Sequence, residues 1–158
     1  TYSLGYVRRT DVDQTYAPHY DRRHNTNIVV SYTFGNKDDW EVSGRWNFGS
    51  GFPFTRTQGF FEDIDFVSGG IQTNYTTSNG NLGIIFEDEL NAGRLPNYHR
   101  FDISVKKAFR ISERSSLDIS ASLTNVYNRE NIFFFDRVEF ERVNQLPILP
   151  SLAVSLSF

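Results

Sequence analysis

Apolar and polar residues alternate one for one over most of this chain, and that period restricts the fold more than any other feature. In LPSLAVSLSF, Leu152, Val154, Leu156 and Phe158 fall on one side of an extended chain, with Ser151, Ala153, Ser155 and Ser157 on the other. Successive side chains of a strand point to opposite faces, so a period of two reads as a strand with two unlike surfaces. The same pattern places Ile28, Val30, Tyr32 and Phe34 opposite Asn27, Val29, Ser31 and Thr33. It places Trp40, Val42, Gly44, Trp46 and Phe48 opposite Glu41, Ser43, Arg45 and Asn47. Phe101, Ile103, Val105 and Phe109 oppose Arg100, Asp102, Ser104, Lys106 and Ala108, with Lys107 an exception on the apolar side. Leu117, Ile119, Ala121 and Leu123 oppose Asp118, Ser120, Ser122 and Thr124, and a weaker strand is expected over residues 2–9. No segment carries a helical period. The expectation is an all-β chain of about six strands, antiparallel because short turns cannot make parallel crossovers.

Such a sheet can meet two solvents. Either the apolar face packs on a protein core, or it meets lipid while the polar face lines a wet interior. Mean hydropathy is −0.44, and no apolar run is long enough for a transmembrane helix. Neither fact bears on a barrel, whose strands are apolar at only half their positions. Connection lengths alternate: the turns at 35–39 and 110–115 are short, 10–26 and 49–98 are long, and 128–145 is intermediate and expected to extend two strands beyond the sheet as a hairpin. Aromatic residues mark the strand ends, with Phe34, Trp40, Phe109 and Phe158 at the short turns and Phe48, Phe52, Tyr98 and Tyr127 at the other ends. Short turns on one rim, long loops on the other and two aromatic rows match a bilayer-spanning barrel. A soluble β domain also carries aromatics and charges on its strands.

The chemistry of the chain is sparse. A net charge of −3, with 16 basic and 19 acidic residues, gives no electrostatic case for nucleic acid. Cysteine is absent, which removes disulfides, thiolate sites and a cysteine nucleophile. His19, His24 and His99 lack zinc-ligand spacing, and no nucleophile elbow is present, so no enzyme and no cofactor is expected. Glu62, Asp63 and Asp65, and Glu87, Asp88 and Glu89, are weak calcium candidates, since hard cations take several carboxylate oxygens; solvated loop charge is the plainer reading. Gly49-Ser50-Gly51 reads as a strand-end kink. Phe133, Phe134 and Phe135 are consecutive and so address both faces, for packing against loops or stacking on a ligand. The run Asn125 to Arg129 breaks the period of two and suggests a bulge. The opening TYSLGYVRRT lacks the build of a signal peptide, so an exported form is mature or a fragment.

Taken in order, YDRRHNTNIVVSYTFG, WEVSGRWNFGSGFPFT, GRLPNYHRFDISVKKAF, LDISASLTNVYNRENIFFFDR and QLPILPSLAVSLSF resemble the carboxy-terminal strands of TonB-dependent outer-membrane receptors of the Bacteroidetes type. The resemblance covers residues 16–158. It implies an antiparallel transmembrane β-barrel segment: about six carboxy-terminal strands of a plugged barrel of about twenty-two. Six strands cannot close such a barrel, so residues 1–158 are expected to be its carboxy-terminal part, with the plug domain elsewhere. It implies a place in the outer membrane of a Gram-negative bacterium and a function in active import of a nutrient such as siderophore-iron, a vitamin or an oligosaccharide. Phe158 becomes a signal read by the barrel-assembly machinery, at the periplasmic rim. The turns at Asn36 and Ser112 are then periplasmic, and residues 10–22, 128–145 and a long loop at about 50–97 are extracellular. Phe34, Trp40, Phe109, Tyr98 and Tyr127 become an aromatic girdle. Glu41, Arg45, Arg100, Asp102, Lys106 and Asp118 become barrel-interior charges, forming a network in the wall or facing the plug. The implied partners are the rest of the barrel and its plug, the inner-membrane TonB complex acting through that plug, outer-membrane lipid and a surface lipoprotein. The competing expectations are a small outer-membrane barrel with a structural or adhesion role, which needs at least eight strands, and a soluble carbohydrate-binding β-sandwich. Two further strands for the small barrel are sought at 71–75 and 83–86.

Overall fold

A computed structural model of the chain describes residues 1–37, 39–63, 66–67, 70–71, 81–112 and 114–158. Among these residues every regular element is a strand. They are β1 (Tyr2–Leu4), β2 (Arg9–Thr10), β3 (Thr15–Tyr16), β4 (His24–Phe34), β5 (Trp40–Gly49), β6 (Pro53–Phe54), β7 (Thr57–Asp63) and β8 (Phe66–Val67). There follow β9 (Gly70–Ile71), β10 (Asn81–Phe86), β11 (Gly93–Arg94), β12 (Tyr98–Arg110), β13 (Ser116–Thr124), β14 (Ile132–Asp136), β15 (Glu141–Asn144) and β16 (Leu149–Ser157). The chain divides into two compact units, one of residues 1–6, 21–52 and 95–158 and one of residues 7–20 and 53–94.

The first unit is a six-stranded antiparallel meander in the order β1-β4-β5-β12-β13-β16. Its long strands are those with the cleanest alternation. The register keeps each apolar row together: Val30, Gly44, Ile103, Leu123 and Pro150 lie side by side across the sheet. A slip of one residue in any strand would send its apolar row to the opposite face. Two tight turns set the register at one end. In the first, Gly35 has φ 101° and Lys37 φ 74°, and a Cβ at Gly35 would come within 2.1 Å of Asp39 Oδ1. In the second, the amides of Ile111 and Ser112 donate to the Ser115 carbonyl at 3.0 and 3.1 Å.

Both margins of this sheet are open. β1 covers β4 only over His24–Thr26, and all nine residues of β16 pair on one side alone, with β13. Among the described residues no hydrophobic side chain is buried. The large side chains that are fully buried, Asp21 and Asn125, are polar. The apolar row of β16 is open, with Leu152 74% and Val154 63% exposed, and its serine row is exposed as well because the strand is an edge.

The connection from β13 to β16 carries the hairpin β14–β15, with a register shift between Ile132 and Phe134. Asn125 to Arg129, expected to form a bulge, is a turn instead. β13 ends at Thr124, Asn125 and Asn128 take left-handed φ values of 55° and 49°, and the Asn128 amide donates to the Asn125 carbonyl at 2.8 Å. Asn tolerates that region better than other side-chain-bearing residues, so two of them reverse the chain without glycine.

The second unit replaces the single long loop expected at 50–97. Its strands pair locally, β2 with β3, β6 with β11, β7 with β10 and β8 with β9. The strand sought at 83–86 is the end of β10. Of the one sought at 71–75, Ile71 lies in β9 and the remainder outside the described residues. Asn91 organises this unit. Its side chain donates to the Ala17 carbonyl at 2.9 Å and accepts from Thr55 Oγ1 at 3.1 Å. Gln14 reaches the Asp88 carbonyl at 2.9 Å.

Candidate functional site

The meander presents two unlike faces. Strand pairing assigns every position. On the apolar face, Phe34, Trp40, Lys107, Ile119 and Val154 form one row near the tight turns. Thr26, Phe48 and His99 form another near the long connections. Eight residue steps separate His99 from Lys107 along β12, about 26 Å at about 3.3 Å per residue. Phe101, Ile103 and Val105 are the side chains β12 presents to this face between them.

Aromatic rings gather at both ends of that band. Near the turns, Phe34 stacks on Trp40 at 6.1 Å with an interplanar angle of 7°, and on Tyr32 at 5.8 Å. The Lys107 ammonium lies 4.4 Å from the Trp40 ring and 4.8 Å from the Phe109 ring. At the far end Trp46 stacks on Phe48 at 5.8 Å, and the Tyr127 hydroxyl meets His99 Nδ1 at 2.7 Å. In mid-band, Gly44 leaves room for the Phe101 ring, which would stand 3.3 Å from a Cβ there. Tyr98 departs from the girdle expected of it. It pairs with Gly49 and lies on the polar face, one residue out of step with Phe101. There it stands 5.4 Å from the Arg22 guanidinium, which also lies 4.4 Å above the Phe52 ring. A Cβ at Gly49 would come within 2.4 Å of that guanidinium, so glycine admits the arginine. Burial lowers the Arg22 pKa from its ordinary value. Phe158 is 97% exposed.

Glu41, Arg45, Arg100, Asp102, Lys106 and Asp118 share the polar face. Lys106 bonds Asp118 at 2.8 Å, reaching diagonally toward β13, and is paired in register with Glu41 on β5. Asp102 is held from two sides, by Arg100 Nε at 2.9 Å and by the Asn125 amide at 3.0 Å. Arg45 is the cross-strand partner of Asp102. Ser43 and Ser104 join hydroxyls at 2.7 Å. Opposed charges at adjacent positions suit a polar surface, since each exposed pair stabilises by less than about 1 kcal/mol and neither sign accumulates.

Two buried asparagines, which the sequence pattern did not single out as functional, fix the end where the long connections leave. Asn125 Nδ2 donates to the Arg129 and Leu146 carbonyls at 2.9 and 3.0 Å, and its Oδ1 accepts from the Arg129 amide at 3.0 Å. Asn131 copies a strand residue with its side chain: Nδ2 donates to the His99 carbonyl at 2.9 Å and Oδ1 accepts from the His99 amide at 3.2 Å. The register break at 125–129 was the one local signal of this arrangement.

The remaining sequence candidates are dispersed. Glu87 pairs with Arg56 at 3.7 Å, and among the described residues no three His, Asp or Glu groups gather to hold a metal. Glu62 and Asp63 lie in β7, and Asp65 falls outside the described residues. His24 bonds Tyr2, His99 bonds Tyr127 and His19 stacks edge-on with Tyr20, so each histidine has its own neighbour. Phe133, Phe134 and Phe135 lie in β14 and are exposed, Phe133 meeting Phe134 at 5.5 Å. Comparison of the chain with protein-family models, with curated proteins and with solved structures found no match.

Proposed function

We propose that this chain is carboxy-terminal barrel wall of a TonB-dependent outer-membrane receptor, a protein that imports a nutrient against its gradient. The observation that carries this reading is an ordered six-stranded sheet whose whole apolar face is left without a buried hydrophobic side chain. A sheet that exposes such a face to water gives up the main favourable term in folding, at roughly 25 cal/mol per Å² of apolar surface. Lipid supplies the missing burial. A soluble sandwich would bury the same row against a second sheet, and no such burial is present among the described residues.

The open margins support a larger closed structure. Unpaired strand edges are not tolerated in hydrocarbon, so β4 and β16 must each meet another strand. At a tilt of about 40° the 26 Å between His99 and Lys107 stands about 20 Å tall, near the apolar band of about 25 Å typical of such walls. In this reading the tight turns are periplasmic, the long connections face outward, and the charged face lines the lumen against the plug. The chain contributes wall and outer surface, and no chemistry.

The chain has no cysteine, so single cysteines can be placed at will. Fluorophores at Val30, Ile103 and Leu123, which share the mid-band row, should be quenched by brominated acyl chains in vesicles containing the protein. Those at Ser120 and Ser155 should instead be quenched by iodide from water. Recovery of the protein in the soluble fraction without detergent, with iodide quenching on both faces, would sink the proposal.

A further inference from the structure

Lys107 breaks the rule of its own face. Among the described residues it is the one lysine or arginine on the apolar side of the meander, and no carboxylate shares that side. Its ammonium rests against the Trp40 and Phe109 rings at 4.4 and 4.8 Å. Phe109 is two residues nearer the tight turns than Lys107. The ammonium therefore rests over aromatic surface that continues toward the end of the strand. Cation–π contact satisfies one side of an ammonium and leaves its N–H donors in need of acceptors.

From this arrangement we infer that Lys107, Trp40 and Phe109 form a binding site for the headgroup phosphate of a phospholipid, with preference for anionic headgroups. The inference rests on the proposed membrane reading and deepens it. A lysine at mid-bilayer is costly, but one level with the aromatic row meets the phosphate layer, where its charge is an asset. The rings fix the ammonium at that level, and the phosphate oxygens accept the donors that the rings cannot. Lys106, one residue earlier, points to the other face and has a carboxylate. The two adjacent lysines thus meet different anions, one from the protein and one from the lipid.

The test uses the whole barrel in phospholipid vesicles, with every other tryptophan replaced by phenylalanine so that Trp40 reports alone. Nitroxide-bearing phosphatidylglycerol and phosphatidylcholine are titrated against Trp40 emission. The expected result is about fivefold preference for phosphatidylglycerol, the effect of one cation near an anionic headgroup. Lys107→Gln should abolish the preference and Lys107→Arg should keep it. Added inorganic phosphate should not displace the lipid; displacement would show a site for free phosphate and overturn the inference. Equal quenching by both lipids, unchanged by Lys107→Gln, would overturn it while leaving the membrane reading intact. Absence of quenching by either lipid would remove the membrane reading itself.

Discussion

Val30→Arg distinguishes lipid from water as the solvent of the apolar face. Val30 is 62% exposed and lies in the row of Gly44, Ile103, Leu123 and Pro150, four residues from each boundary row along β4. If that face meets water, an arginine at so open a position changes stability by no more than about 0.5 kcal/mol. If it meets hydrocarbon, the row is the midplane, and the substitution costs about 2–4 kcal/mol. That is a 30- to 700-fold loss in the folding constant, at about 1.4 kcal/mol per decade. Thr26→Arg, at the boundary row, should cost about 0–1 kcal/mol, and Ser31→Arg, on the polar face, little. The assay is reversible folding of the whole barrel into phospholipid vesicles in guanidinium, followed by tryptophan emission. Equal stability of the Val30→Arg and Thr26→Arg proteins, both within about 0.5 kcal/mol of the parent, would refute the reasoning.

Asn125→Ala removes the bonds to Arg129 and Leu146 and leaves their groups without a partner. It should cost about 2–4 kcal/mol in denaturant unfolding, and Asn125→Gly, which relieves only the left-handed backbone, should restore little. Gly51→Ala puts a Cβ 1.6 Å from the Leu95 carbonyl oxygen, so the backbone must part there; a loss of about 1–3 kcal/mol in denaturant unfolding is expected. The Asp11 carboxyl accepts the Tyr16 hydroxyl at 2.7 Å and Arg9 Nε at 3.2 Å, and these bonds, the tyrosine first, lower its pKa. Its folded value lies below its unfolded value, so its contribution is present above the unfolded pKa and fades as pH falls through the folded one. Carboxyl NMR titration should show the Asp11 midpoint below that of an ordinary aspartate, and Tyr16→Phe should raise it.

The meander was legible because its strands are long and two-faced. In β4, β5, β12, β13 and β16 the alternation assigns each residue a face before any neighbour is known. Even Lys107 was placed correctly on the apolar side. Tyr98 was legible by the same rule, being one step from His99, but its position at a strand end concealed its face. The second unit was not legible as strands. β6, β8, β9 and β11 have two residues each, too few to show a period, and TQGFFED in β7 does not alternate. These short pairs depend on partners such as Asn91, which bridges Ala17 and Thr55 across distant parts of the chain.

The sequence by itself determined which side chains share a face, since an extended backbone turns every second residue the same way. It also determined where the tight turns fall, because Gly35 and the polar run after Phe109 permit little else. Tertiary structure alone decided which strands adjoin, that Asp102 answers to both Arg100 and the Asn125 amide, and that Asn131 stands in for a strand residue beside His99. The Asn125–Asp102 and Asn131–His99 bonds join groups 23 and 32 residues apart, and no local pattern records such a meeting.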